Sequence, residues 1–392
     1  MAIDVDTLLR GLDRGGWLPL SPSGPPQPMV PESLLPQGDG VLVSSGGSSG
    51  GRQVCLQPWS HLDRSAAATA SWLQGIGLDP SETFLLNPLP LHHVSGLMPW
   101  WRSRCWGARH LPLSSSLMKS PADLLQVCEA LPDWGHAPAV VSLVPTQLNR
   151  LMADAAGLAW LQACSVIWVG GAALPDALAD QARSHDLRLA PSYGATETAA
   201  MVASQTPEQF LAGESGCGRA LSDVELRLGD DQALFVRSAR LAVGRWSSDD
   251  PSRLKSLTDA EGWWRSGDAA SLKPELTVLG RLDGALHSGG ETVFPEQLEA
   301  RLQQSLARHQ LPSVPILMLA EPDLEWGECL VALVGSSDPA LIASLQQLTM
   351  SWVCAERPKR WLRCPELSCS AIGKWERKRW LNWLLVEGQD HA

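Results

Sequence analysis

Short apolar runs alternate with helix-periodic stretches along the first half of the chain. An apolar run at residues 41–43 leads straight into a Gly/Ser cluster. Runs at 83–86, 139–143 and 165–169 predict strands, because a few mostly apolar residues bounded by polar ones suit a strand buried on both faces. Residues 146–152 and 175–184 predict helices. So do residues 60–73, where Leu62, Ala66, Ala70 and Leu73 share a face and Ser60 with Asp63 resembles a capping box. Strand–helix alternation implies an α/β fold whose large, multi-layer amino-terminal domain has mostly parallel sheets. In such sheets ligands bind beyond the carboxyl ends of strands, where the Gly-rich segments fall here. After about residue 215 the pattern shifts to short β-like pieces at 224–228, 234–236 and 278–279. The last hundred or so residues mix helix and strand, as a separate small α+β domain does. Residues 19–40, rich in Pro, Ser and Gly, predict an extended loop.

Composition narrows the partners. The 392 residues carry a formal net charge of −11, which argues against a nucleic-acid or anionic-membrane partner. There is no run of about 18 apolar residues, so no membrane span is expected. The opening MAIDVDTLLRGLDRGG has early acids and no long apolar core, unlike a signal peptide. Nine cysteines, an odd number without CxxC pairs, suit the reduced thiols of a cytoplasmic protein. Cys364 and Cys369 are spaced for a disulfide or a metal pair, although scattered buried thiols are the commoner outcome.

Three segments carry candidate chemistry. VSSGGSSGGRQ, residues 43–53, follows a strand with a loop whose N–H and O–H groups can surround phosphates; Gly/Ser loops also serve as plain linkers. It does not have the Walker spacing. PSYGATETAA, residues 191–200, has a turn through Gly194 followed by Thr196, Glu197 and Thr198. Hydroxyls beside a carboxylate suit a phosphate carrying Mg2+, and equally a capped turn at a helix start. GWWRSGDAA, residues 262–270, and VLGRLDGALHSGGETVFPEQLE, residues 278–299, offer Asp268 and Arg281. A carboxylate and a guanidinium can bind vicinal hydroxyls, but they can also be a turn aspartate and a surface arginine.

In their order and spacing these segments resemble the adenylate-forming superfamily of acyl–CoA synthetases, luciferases and peptide-synthetase adenylation domains. The motifs are SSGGSSGG, VGGAALP, YGATET, SGD, GRLD with SGGE, and a late GK, covering residues from about 41 to 375. Within the superfamily, PLHHVSGLMPWWR, VSLVPTQLNRLM and IWVGGAALP resemble the o-succinylbenzoate–CoA ligase family. That resemblance implies ATP-dependent joining of o-succinylbenzoate to coenzyme A through an acyl-adenylate, with ATP, Mg2+ and CoA as cofactor and co-substrates. Another aryl– or acyl–CoA ligase, or a non-catalytic acyl or nucleotide sensor on the same fold, is the alternative.

The resemblance also implies roles. Ser44, Ser45, Gly46, Gly47, Ser48, Ser49, Gly50 and Gly51 would wrap the β- and γ-phosphates. Gly170, Gly171 and Ala172 would line the adenine pocket opposite Ser192, Tyr193 and Gly194. Thr196 would contact the α-phosphate and Glu197 would hold Mg2+. Asp268 and Arg281 would bind the ribose, and His93 would stand beside the acyl site. Lys374 would reach the α-phosphate during adenylation. Asp283 would be the hinge between a large domain, 1–282, and a small mobile one, 283–392. One departure stands out: the family's phosphate loop continues with Pro-Lys, where this chain has Arg52 and Gln53. Arg52 would then neutralise the leaving pyrophosphate. Relatives are longer, mainly at the amino end.

Overall fold

The computed structural model describes residues 4–21, 29–45, 53–132, 134–288, 291–323, 326–369 and 375–386. Gly46, Gly47, Ser48, Ser49, Gly50, Gly51, Arg52 and Lys374 lie outside these residues.

A seven-stranded sheet forms the centre of the large part. Its order is Arg219–Ala220, Ala200–Ser204, Leu189–Ala195, Cys164–Val169, Ala139–Leu143, Phe84–Asn87, Arg109–Pro112. The last five strands pair in parallel and the first two join antiparallel. Parallel pairing needs crossover connections, and the helices Pro145–Met152, Ala155–Gln162 and Asp176–Ser184 supply them. The strands AVVSL and CSVIWV are buried along almost their whole length, as strands covered on both faces must be. One face carries a core of Trp160, Leu148, Leu151, Ile167 and Phe210. Through the other, Val140, Val166, Trp168 and Ala190 pack with Leu234, Val236, Trp264 and Ala270. The latter four belong to an antiparallel sheet of Glu225–Leu228, Ala233–Arg237, Trp264–Ser271 and Thr277–Arg281. A third sheet runs Trp17–Leu20, Gly40–Ser45, Gln53–Pro58, Gly244–Ser247, Asp250–Lys255. Parallel pairing thus dominates only the central sheet; the other two large-domain sheets are wholly or mainly antiparallel, because their strands are joined by short hairpins or return late in the chain.

The helix Trp59–Gly75 buries Leu62, Ser65, Ala66, Thr69 and Leu73 on one face. Its predicted capping box is absent. Pro58 stands at the N-cap without a side-chain bond, and Asp63 instead accepts the Trp101 indole N–H at 3.0 Å.

From Leu286 onward the chain builds its own sheet, Glu291–Val293, Leu286–Ser288, Gly327–Val334, Ile316–Asp323, with Arg360–Arg363 alongside Gly327–Val334. Alternation in Ile316–Asp323 sends Ile316 and Met318 to one face, against Leu298, Leu302 and Leu345. Leu317 and Leu319 go to the other, against Trp380 and Leu384. Two covered faces give this α+β unit its own core. It meets the large part through the helix Pro295–Arg308, which touches the strand Thr277–Arg281 and the helix Asp176–Ser184. There the Gln304 amide donates to the Asp176 carboxylate.

Trp160 is fully buried and donates its indole N–H to the Cys128 sulfur at 3.2 Å. Trp160→Ala is expected to destabilise the large domain by about 3–5 kcal/mol, read from the midpoint of urea unfolding.

Candidate active site

The parallel strands Cys164–Val169 and Leu189–Ala195 run in register, Val169 opposite Pro191. They therefore deliver the segments that follow, Gly170–Gly171 and Ser192–Tyr193, side by side at their carboxyl ends. The fit is close: a Cβ on Gly170 would lie 3.1 Å from both Ser192 O and Oγ. Gly171 has φ +79°, a conformation that favours glycine, and Ala172 beyond it is exposed.

Tyr193, the only tyrosine in the chain, joins the central sheet to the antiparallel one. Its hydroxyl donates to Asp268 Oδ2 at 2.6 Å. Burial first, then the Asp268 charge, pushes its pKa well up, so the phenol stays protonated and donates. Arg281 pairs with Asp268 in the ladder and donates from Nη1 to Oδ1 at 3.2 Å. The same guanidinium reaches Asp283 twice, at 3.0 and 3.2 Å. Asp268 lies within a strand, after Gly267 at φ +80°, and not beyond a turn as expected.

Gly194 also differs from expectation. It sits in the strand Leu189–Ala195, where the returning strand comes so near that a Cβ would lie 2.3 Å from Ala200 O. The chain then turns in one short 3-10 segment, Thr196–Thr198, with Ala199 left-handed at φ 51°. This turn is held from behind. The Gln57 amide donates to Thr196 O and Glu197 O, at 2.8 and 3.2 Å. Ala242 N donates to Glu197 O at 2.8 Å, and Ser65 Oγ to Ala199 O at 2.6 Å. Arg240, fully buried, donates to Thr198 O at 2.8 Å and meets the Asp223 carboxylate through Nε at 2.6 Å and Nη2 at 3.2 Å. Apart from the Arg240–Asp223 pair, these bonds all go to the backbone of the turn. Among the described residues the Glu197 carboxylate has Arg245 Nη1 at 3.9 Å as its ion-pair partner. The strand Gly40–Ser45, which carries Ser44 and Ser45 to the Gly/Ser loop, touches the same turn.

His93 is the N-cap residue of the helix Val94–Trp106, whose Val94 shares a core with Ala199. The segment before it is pinned by Asn87, which donates to Gly96 O at 2.8 Å and accepts Leu89 N at 3.3 Å. The Asn87 amide also lies 3.1 Å from His110 Nε2, which must therefore be the acceptor and neutral. Burial agrees, drawing the His110 pKa down to about 4. Arg102, later in the same helix, is buried over the Trp168 ring at 5.0 Å, and its Nε has no hydrogen-bond partner among the described residues. Burial, then Arg240, lowers its pKa to about 9, which still leaves it charged at neutral pH.

Lys374 lies outside the described residues, but its flank is anchored. Arg377 donates to Met318 O at 2.8 Å and to both oxygens of Glu299 at 2.9 and 3.0 Å. Cys364 and Cys369 are not joined by a disulfide. Gln57, Ser65, Arg240, Asp223, Arg245, Asn87, His110 and Arg102 were not singled out from the sequence. Only the unusual density of arginine in FVRSARLAVGRW offered a signal.

Comparison with known proteins identifies the family. The AMP-binding enzyme family matches residues 58–238. The chain is 30% identical over 348 residues to the 2-succinylbenzoate–CoA ligase of Escherichia coli, covering 86% of this chain and 69% of that protein. It is 32% identical over 308 residues to the 2-succinylbenzoate–CoA ligase of Salmonella typhimurium, covering 78% of this chain and 61% of that protein. The structure of wild-type E. coli MenE with a bound m-phenylether-linked analogue of OSB-AMS superposes with a TM-score of 0.63 at 27% identity, over 93% of this chain and 72% of that one. The chain belongs to the AMP-binding enzyme family, in the group that contains the 2-succinylbenzoate–CoA ligases. It spans between 61% and 69% of the length of these two relatives.

Between pH 6.5 and about 4 the unfolded chain protonates His110 and the folded one does not. The lowered pKa therefore contributes stability above pH 6.5 that is lost as pH falls toward 4. The expected loss is about 1–2 kcal/mol after allowing for solvent screening. His110→Gln should remove that part of the slope in urea melts taken across this range.

Proposed function

We propose that this protein ligates 2-succinylbenzoate to coenzyme A, by ATP-dependent formation of an acyl-adenylate. The observation that carries the reading is the convergence of four elements at one sheet end. These are the Gly170–Gly171 step, the Tyr193–Asp268–Arg281 chain, the turn bearing Thr196 and Glu197, and the strand entering the Gly/Ser loop. Adenine would lie between Gly170–Ala172 and Ser192–Tyr193. The ribose hydroxyls would bind Asp268, which Tyr193 and Arg281 already orient. The triphosphate would extend past Thr196 toward residues 44–52.

Among the described residues no three or more His, Cys, Asp or Glu side chains are grouped to cage a metal. The single carboxylate of Glu197 suits Mg2+ that arrives with phosphate oxygens as most of its ligands. Bound there, the ion would neutralise charge on those oxygens.

In the first half-reaction a carboxylate oxygen of the acid attacks the α-phosphorus, and the bond from that phosphorus to the β-bridging oxygen breaks, releasing pyrophosphate. Thr196 would hold an α-phosphate oxygen, and Lys374 would bring its ammonium to the charge that builds there. In the second, the CoA thiolate attacks the acyl carbonyl and AMP leaves with the shared oxygen. Both reactions take place at the same carboxyl group, so Lys374 would withdraw before the thiol approaches. Rotation of residues 283–392 about Asp283 and Gly284 would accomplish this. The acid itself is a dianion. Of the two buried arginines, Arg240 has Asp223 while Arg102 makes no ion pair among the described residues, which favours an anionic substrate group nearby. That no cysteine pair among the described residues forms a disulfide supports a cytoplasmic setting.

ATP–pyrophosphate exchange measured across aromatic and aliphatic acids tests the reading. Exchange should depend on 2-succinylbenzoate; exchange driven better by a simple aryl or alkyl acid would reassign the substrate, and none with any acid would refute adenylation.

Two variants sharpen it. Lys374→Ala should abolish exchange yet still convert supplied acyl-adenylate to thioester, and a variant exchanging at near the normal rate would remove Lys374 from the mechanism. Asp268→Ala should weaken ATP binding by about 2–4 kcal/mol, roughly 30- to 1000-fold, measured by calorimetry.

A further inference from the structure

The strand Gly244–Ser247 lies beside the strand that leaves the Gly/Ser loop. Arg245 stands opposite Cys55, and Ser247 opposite Gln53, the first described residue after the loop. Gln53 in turn pairs with Ser45, the last described residue before it. Arg245 is thus one pleat repeat from the base of the loop. Gly244 and Trp246 are buried on the opposite face, which directs Arg245 to the side where Glu197 lies.

The guanidinium is free to act. Its side chain is 38% exposed, and its nearest charged partner among the described residues is Glu197 Oε1 at 3.9 Å, beyond hydrogen-bond reach. The neighbouring cation in the same row, Lys255, is directed instead to Asp250 at 3.6 Å. Arg245 therefore sits between the loop base and the carboxylate proposed to face the metal-bound triphosphate. It does so in a chain whose loop has no lysine at the expected place.

We propose that Arg245 is a phosphate-binding residue that supplies, from the adjacent strand, positive charge toward the β- and γ-phosphates. A guanidinium suits the task because it stays charged and can donate two parallel hydrogen bonds to one phosphate. This inference rests on the ATP-dependent reading above.

The test is calorimetric binding of Mg–ATP, Mg–pyrophosphate and AMP to wild type, Arg245→Lys, Arg245→Ala and the control Arg253→Ala on the outer strand. Arg245→Ala should weaken ATP and pyrophosphate by about 10- to 100-fold and leave AMP within about twofold. Arg245→Lys should recover part of the loss, and Arg253→Ala should match wild type. Equal weakening of AMP and ATP would mean a structural role and overturn the proposal. So would unchanged pyrophosphate binding, or tighter Mg2+ binding without phosphate loss, which would mark Arg245 as a mere counter-ion of Glu197. If wild type binds none of the three, the nucleotide reading itself fails and the inference with it; if wild type binds and Arg245→Ala is indistinguishable, only the inference fails.

Discussion

A carboxylate can face a charged ligand with useful accuracy only if the backbone behind it cannot yield. In this fold that rigidity rests on Arg240. Its guanidinium is buried, so its charge must be met inside the protein, and Asp223 meets it at 2.6 Å. The remaining donors go to Thr198 O and Ser65 Oγ, and Ser65 Oγ passes a bond on to Ala199 O. With Gln57 and Ala242 behind Thr196 and Glu197, each carbonyl from 196 to 199 is bonded from behind by the strand Gln53–Pro58, the loop 238–243 or the helix Trp59–Gly75. These bonds hold the turn without using the Thr196 or Glu197 side chains. The left-handed Ala199 is part of the same arrangement: a strained residue persists where its surroundings over-determine it.

Much of this was legible in the sequence, for a physical reason. The strand Ala139–Leu143 was predicted to the residue, because a β-branched run covered on both faces has no competing period. The small domain was visible from its change of pattern. Motif order placed Gly170, Ser192, Tyr193, Asp268 and Arg281, and the structure brings these five together. Local rules failed where tertiary partners outbid them. Asp63 looked like a helix cap but is held by Trp101, and Gly194 looked like a turn but is a point of close backbone approach. Asp223 and Arg240 stand on opposite sides of a hairpin, and no local rule links a charge to a turn forty residues earlier. The same holds for His110, kept neutral by burial and met by the Asn87 amide from the next strand.

The sharing of Arg281 has a consequence for how the two halves communicate. One rigid guanidinium donates to Asp268 on the proposed sugar side and to Asp283 at the proposed pivot. Its five N–H groups are coplanar, so a rotation of the peptide at Asp283 that carries the fork with it must tilt Nη1 away from Asp268. Sugar occupancy and domain angle then cease to be separate variables. Whatever free energy the nucleotide gains from one angle, that angle must return as affinity for the nucleotide. Arg281 would make the ribose pocket an angle gauge, through which release of AMP and return of the small domain become a single event.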